Sequence, residues 1–264
     1  MSAGAEPAER QVEVNGLPCR VWEKGPQDAA PIGYLAGLVG LPRWTPFLDL
    51  LAQERRVVAP SLPGFPGATG HEQLDTLLDW VHATLELLEA AGLRGADLMG
   101  VSVGGTLAAE VAATAPDAVR KLVLLAPFGL FDEQEPVTDI WAQRPGAAAA
   151  LFCSDVEKIQ ALLAVPEGED PVEWQILQAR ASEAAARILW PTTDTGLAKR
   201  LHRIRCDTLL VWGSADAIVP ASTAKRIAAG LSGKATVRSI AGAGHLADLD
   251  APEAVSEAVR AFLG

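Results

Sequence analysis

In Gly100-Val101-Ser102-Val103-Gly104 one serine stands between glycines, where an apolar run ending at Met99 gives way to a helix-forming stretch from Thr106. A nucleophilic serine needs its hydroxyl presented on a sharp strand-to-helix turn, and such a turn leaves no room for a Cβ on its flanks. The hydroxyl is a weak nucleophile until a base takes its proton and an acid orients that base. Four histidines are available. His71 precedes a helix expected from Glu72, His82 lies within it, and His202 stands in the basic run Lys199 to Arg205; each reads as a surface or packing residue. His245 differs: it ends Gly242-Ala243-Gly244-His245, just past the last expected strand, where α/β sheets place their ligands. Asp216 follows the strand Thr208 to Trp212 at the same edge. Asp132, after Pro127-Phe128-Gly129, is its rival, but it opens an acidic, solvated stretch with Glu133 and Glu135, so Asp216 is preferred. Asp248 and Asp250 follow the histidine closely and are expected to charge the start of the last helix. The chain order Ser102, Asp216, His245 is that of an acyl-transfer triad on an α/β sheet.

Elements of matching periodicity surround these residues. Gln11 to Val14 and Cys19 to Glu23 flank the turn signal Asn15-Gly16 and predict a β-hairpin. Ile32 to Leu35, Arg56 to Ala59, Ala96 to Met99, Lys121 to Leu125, Thr208 to Trp212 and Thr236 to Ile240 are short apolar runs of the kind buried parallel strands show. Helical stretches alternate with them: Trp44 to Gln53, Glu72 to Ala91, Thr106 to Ala115, Ala221 to Leu231 and Glu253 to Phe262. The alternation implies a doubly wound sheet. Between Phe128 and about Arg200 it breaks, and a structureless loop of that length would be unusual. An inserted helical cap is expected there, with helices near Asp139 to Phe152, Asp155 to Leu163, Pro171 to Leu189 and Thr195 to Leu201. The division expected is a core over residues 1–129, a cap over 130–200 and the rest of the core over 201–264.

The chain has 264 residues, of which 49% are hydrophobic, enough for one large core. The first ten residues lack the basic and apolar regions of a signal peptide, and no apolar run approaches the roughly 18 residues of a spanning helix, so a cytoplasmic protein is expected. Cys19, Cys153 and Cys206 are widely spaced and odd in number, which fits reduced thiols better than disulfides or a metal cluster. A formal net charge of -11 disfavours nucleic acid and anionic membranes, which need basic patches. The expected partner is a small-molecule substrate, with no cofactor and no metal, acted on by a monomer or a homodimer.

On these residues the chain resembles the α/β-hydrolase fold superfamily with a cap, over nearly its whole length. Further matching segments are Leu35-Ala36-Gly37-Leu38, Pro60-Ser61-Leu62-Pro63-Gly64-Phe65, the Asp216 loop ending in Val219-Pro220, and Gly244-His245 followed by Pro252-Glu253. Family members usually carry His-Gly in the first segment and an aspartate in the second, where this chain has Ala36 and Ser61. The resemblance implies a mostly parallel eight-stranded sheet with helices on both faces and an inserted α-helical cap. It also implies a nucleophile elbow at Ser102 and an oxyanion hole from the backbone N–H groups of Leu38 and Val103. Relatives that form alkyl esters carry aspartate as nucleophile; a serine implies a serine esterase acting on a carboxylic ester, thioester or lactone through an acyl-enzyme. Hydrolysis of a carbon–carbon bond in a ring-fission product is the alternative, although those relatives show a longer glycine run than Ala36-Gly37-Leu38-Val39-Gly40. Some members of the superfamily bind small molecules without catalysis. Trp44, Trp141, Trp174 and Trp190 are the candidate walls of an apolar substrate pocket, and cap-to-core packing is the competing role for each.

Overall fold

A computed structural model describes residues 6–144, 147–191 and 193–264. Eight strands form one sheet: β1 (Ala8–Val14), β2 (Leu17–Lys24), β3 (Pro31–Leu35), β4 (Arg56–Pro60), β5 (Ala96–Val101), β6 (Val119–Leu125), β7 (Asp207–Gly213) and β8 (Ala235–Ile240). Their order is β1-β2-β4-β3-β5-β6-β7-β8. The pairs β1–β2 and β2–β4 are antiparallel and the other five are parallel. Asn15 and Gly16 both adopt positive φ, 50° and 74°, and close the expected hairpin with Val14 opposite Leu17.

The helices are α1 (Pro46–Leu51), α2 (Leu77–Ala90), α3 (Ser102–Thr114), α4 (Ala149–Phe152), α5 (Val156–Leu163), α6 (Pro171–Leu189), α7 (Ser222–Gly230), α8 (Ala247–Asp250) and α9 (Pro252–Leu263). Helix α3 packs on β5 and β6 and is buried on nearly every side. Its small residues Gly104, Gly105, Ala108, Ala109, Ala112 and Ala113 let the sheet and neighbouring helices approach its backbone. The one charge buried in it, Glu110, is paired with Arg200 at 2.7 Å and accepts from Thr195 at 2.6 Å, so the segment before β7 is pinned to this helix.

Helices α4, α5 and α6 lie in the long insertion between β6 and β7. Two of the insertion's four expected helices form as expected, as α5 and α6. The helix expected over 139–152 is confined to α4; Pro145 and Gly146 lie outside the described residues. The Asp139 carboxylate accepts the N–H groups of Trp141 and Ala142, the bonds of a helix N-cap, but only a turn follows it. Thr138 just before is tied to the loop after β7, its N–H donating to the Ile218 carbonyl and its hydroxyl to that of Ala217. The helix expected over 195–201 is instead two single 3-10 turns, Leu197–Lys199 and Leu201–Arg203. Gly196 at φ 72° and the Arg200 pairing hold that segment out of α-helical register. Cys19, Cys153 and Cys206 are free thiols. No helix among the described residues is long and apolar enough to cross a membrane.

Candidate active site

Ser102 opens α3 directly after β5, at φ 55°, a left-handed conformation that costs a non-glycine residue about 1–3 kcal/mol and holds its side chain above the sheet edge. The turn is possible because Gly104 has no side chain: a Cβ there would lie 2.3 Å from the Ala36 carbonyl oxygen and 2.4 Å from that of Leu35. The same closeness seats the loop after β3 against the elbow, with an ideal Cβ on Gly37 only 3.3 Å from Ser102 Cβ. Thr106 braces the turn one helical step on, donating to the Ser102 carbonyl at 3.2 Å and accepting the Phe128 N–H at 3.0 Å.

His245 Nε2 is 2.8 Å from Ser102 Oγ, and its Nδ1 is 3.0 and 3.2 Å from the two oxygens of Asp216. Asp216 Oδ1 also accepts the N–H groups of Ile218 at 2.8 Å and Val219 at 3.0 Å, so backbone dipoles fix the carboxylate. Trp212 holds this loop closed, its indole N–H donating to the Val219 carbonyl at 3.0 Å. The acid and histidine loops meet because Gly213 is a glycine: a Cβ there would lie 2.0 Å from the Gly244 carbonyl oxygen. The Ser102, Asp216 and His245 side chains are at most 1% exposed, and the Phe128 ring lies 5.5 Å from the imidazole, so the three groups interact with little solvent screening.

The rival acid is elsewhere. Asp132 sits at the surface, 3.4 Å from Arg226, and accepts the N–H of Gln134. His71 is buried against Gly64 and Ala184, with Glu72 and Glu183 at 3.4 and 3.5 Å. Leu38 and Val103, whose N–H groups were the expected oxyanion donors, are both buried beside the elbow. Where relatives place a histidine this chain has Ala36, and other bonds support the loop. Gly40 N–H donates to the Gly37 carbonyl at 2.9 Å, and the Arg20 guanidinium donates to Leu41 at 2.6 Å and Pro66 at 3.0 Å while lying 3.5 Å over Trp22. Burial lowers Arg20 to about 10, which leaves it charged near neutral pH.

Sequence reasoning gave Asp248 and Asp250 only a helix-terminus role, and the structure corrects this. Asp250 accepts from Gly244 N–H at 2.6 Å and from the backbone of Ser154 and Asp155, tying the histidine loop to the insertion. Leu246 N–H adds a bond to the Phe152 carbonyl at 2.8 Å. Asp248 is buried and accepts the Tyr34 hydroxyl at 2.8 Å, joining the histidine loop to the strand that leads into Leu38. Burial raises the Asp248 carboxyl, opposed by the Tyr34 bond, and burial then Asp248 raise the tyrosine. The only sequence signal was their position three and five residues after His245.

A cavity of about 180 Å³ opens against Leu38 and Val39 beneath the insertion, walled by Ile140, Trp141, Phe152 and Leu163 with Gln178 and Ser182 as its polar groups. Of the four expected tryptophans only Trp141 lines it. Trp44 faces a second cavity. Trp174 is buried in packing, its indole N–H on the Leu163 carbonyl, and Trp190 is 61% exposed with its ring edge toward Trp141. No cluster of three or more metal-ligating side chains occurs among the described residues.

A strand-to-helix elbow, an acid loop and a histidine loop at the carboxyl edge of a mostly parallel sheet define a hydrolase architecture. Residues 35–258 match the model of the alpha/beta hydrolase family, and the chain belongs to that family. It is 31% identical over 268 residues to the dihydrolipoyllysine-residue acetyltransferase component of the acetoin cleaving system of Pseudomonas putida, covering 97% of this chain and 70% of that protein. It is 26% identical over 253 residues to the carboxylesterase YbfK of Bacillus subtilis strain 168, covering 90% and 82%. The solved 2-hydroxy-6-oxo-6-phenylhexa-2,4-dienoate hydrolase of Rhodococcus sp. strain RHA1 has the same fold, with a TM-score of 0.77 at 22% identity over 98% of this chain and 99% of that one.

Proposed function

We propose that the protein is a serine hydrolase that cleaves a small, mostly apolar carboxylic ester, thioester or lactone through an acyl-enzyme. The observation that carries the proposal is the continuous chain from Ser102 Oγ to His245 Nε2 at 2.8 Å and from His245 Nδ1 to Asp216 at 3.0 Å. Asp216 holds the imidazole with its proton on Nδ1, leaving Nε2 to take the serine proton as Oγ attacks the carbonyl carbon. The tetrahedral oxyanion is received by the N–H groups of Leu38 and Val103, a pair of donors worth roughly a hundredfold or more each. The imidazolium then protonates the leaving group, and water, activated by the same histidine, releases the acid. Residues 130–200 act as the cap that sets substrate choice.

The cavity beside Leu38 suits an acyl or aryl group of modest size. Its volume of about 180 Å³ is near that of engineered apolar cavities, about 150 Å³, that take up benzene. The carboxylesterase relative supports the ester reading, and the acetyltransferase relative makes thioesters a necessary part of any substrate panel. The dienoate hydrolase favours a second reading, carbon–carbon bond hydrolysis. It ranks second because, among the described residues, the walls of this cavity carry no lysine or arginine to receive a substrate carboxylate. A fluorophosphonate probe with peptide mapping, followed by ester, thioester, lactone and dienoate substrates of graded length, tests the proposal. Labelling at Ser102 and turnover of short uncharged esters are expected. An unlabelled serine, or turnover of the dienoate alone, overturns it.

A further inference from the structure

The loop that carries His245 is gripped from two sides. On the acid side, the Ala215 N–H donates to the Ala243 carbonyl at 2.9 Å, and the missing side chain of Gly213 lets the two loops touch. On the other side the insertion holds it, through the residues immediately before and after the histidine. Gly244 N–H donates to Asp250 Oδ2 at 2.6 Å, and the same oxygen accepts the Ser154 N–H at 2.7 Å, so one carboxylate oxygen clasps both segments. Asp250 Oδ1 takes the Asp155 N–H at 3.2 Å. Leu246 N–H donates to the Phe152 carbonyl at 2.8 Å. The segments lie so close that a Cβ on Gly244 would fall 2.9 Å from the Ser154 nitrogen. Lys158, in the first turn of α5, adds a bond to the Asp250 carbonyl at 2.5 Å.

A lid that only selects substrate needs contact with the rim of a site, not with the backbone of its base. Here the bonds reach the peptides on either side of His245, whose Nε2 has to stay within hydrogen-bond reach of Ser102 Oγ, 2.8 Å away. A reacting group displaced by about 1 Å costs on the order of a hundredfold in rate. Bonds from N–H groups to a carboxylate are about twice as strong as those between neutral partners, so Asp250 supplies the stiffest part of the clasp. We infer that Asp250 is a positioning residue: its carboxylate fastens the segment Phe152 to Asp155 against Gly244 and so keeps His245 in line with Ser102. The insertion then serves the chemical step and not substrate choice alone. Phe152 also walls the cavity beside Leu38, so the piece of chain that grips the histidine loop is one that a bound acyl group touches. The inference rests on the reading of His245 as the base for Ser102.

Asp250→Ala, Asp250→Asn and Gly244→Ala are compared with the parent in hydrolysis of p-nitrophenyl butyrate. Without substrate, nitrogen-edited NMR follows the His245 Nδ1 proton, its signal assigned by His245→Gln. In Asp250→Ala kcat should fall by about ten- to a hundredfold with KM within about threefold of the parent, the split expected of a group that acts on the transition state and not on substrate binding. Exchange of the Nδ1 proton with water should quicken by about tenfold, the factor that one lost hydrogen bond carries. Asp250→Asn, whose remaining oxygen can still receive the Ser154 and Gly244 N–H groups, should fall between Asp250→Ala and the parent. Gly244→Ala crowds Ser154 while leaving the carboxylate in place; it should reproduce the loss, and it serves if Asp250→Ala does not fold. Parent-like kcat in Asp250→Ala or Gly244→Ala, a raised KM at parent kcat, or unchanged proton exchange in either variant overturns the inference. A parent protein that neither turns over the ester nor is labelled at Ser102 fails the ester reading instead, and the proton exchange still decides the role of Asp250.

Discussion

Replacing Asp216 by Asn separates the acid's chemical role from its structural one. The asparagine oxygen can keep the bonds from the Ile218 and Val219 N–H groups, at 2.8 and 3.0 Å, so the loop after β7 retains its shape. The amide NH2 then faces His245 Nδ1, where the carboxylate stood. A donor there forces the imidazole to carry its proton on Nε2, pointing at Ser102 Oγ, and that tautomer cannot take the serine's proton. The wrong tautomer costs about 10⁴ in kcat, or about 5.5 kcal/mol of transition-state stabilisation. Folding stability should change by less than about 2 kcal/mol, since the loop's backbone bonds survive. Asp132→Asn is the control: it breaks an ion pair with Arg226 whose side chains are 36% and 37% exposed, worth under about 1 kcal/mol, and should leave kcat unchanged. Steady-state hydrolysis of p-nitrophenyl butyrate, with urea unfolding of each variant, measures both quantities. The reasoning fails if Asp216→Asn stays within tenfold of the parent, or if Asp132→Asn suffers the larger loss.

Three further outcomes are expected. Gly104→Ala should lower stability by about 1–3 kcal/mol or more, because its Cβ falls 2.3 Å from the Ala36 carbonyl oxygen; a parent-like unfolding midpoint would show that the elbow and the loop after β3 are not in close contact. Trp141→Ala should shift relative kcat/KM among acyl lengths by about 1–3 kcal/mol, whereas Trp190→Ala should not and Trp174→Ala should chiefly lower the unfolding midpoint; an unmoved profile in Trp141→Ala places acyl selection elsewhere. Burial raises the Asp248 carboxyl above its ordinary 3.8, so the folded chain holds that proton more tightly than the unfolded one. The stability this gives is present below the ordinary value and is lost as pH rises through the interval up to the folded value. Asp248→Asn should therefore gain on the parent as pH is raised from about 4 toward neutrality, and urea midpoints of the two proteins that stay a constant distance apart would contradict the shift.

Which parts of this molecule were legible follows from where the determining contacts lie along the chain. Strands β3 to β7 were readable because a strand buried on both faces must be apolar throughout, and Asn15-Gly16 because a two-residue hairpin needs positive φ at both positions. Ser102, Asp216 and His245 were readable because each sits on a short turn at the end of a strand, so a handful of neighbouring residues defines its place. The insertion follows another rule. The alanine-rich run 147–150 favours helix wherever it stands and leads into α4, whereas Thr138 is bonded to a segment about 80 residues away, a tertiary tie that no local propensity encodes. Helix α6 has the same ambiguity in its side chains: Trp174 turns inward while Val172 and Ile176 face solvent, and only the packed neighbours decide between them. Asp248 and Asp250 show the limit most clearly. Two acids beside a helix-starting Pro252 satisfy the helix-dipole rule without any tertiary partner. Their partners in the folded chain are Tyr34, 214 residues away, and Ser154, 96 residues away. A charge pattern that a local rule already explains carries no sign of a tertiary role, although these two residues join the histidine loop to the strand before Leu38 and to the insertion. Burial is what separates the two readings. A dipole-complementing carboxylate stays in water, whereas Asp248 is 6% exposed and its raised carboxyl records the cost of that position.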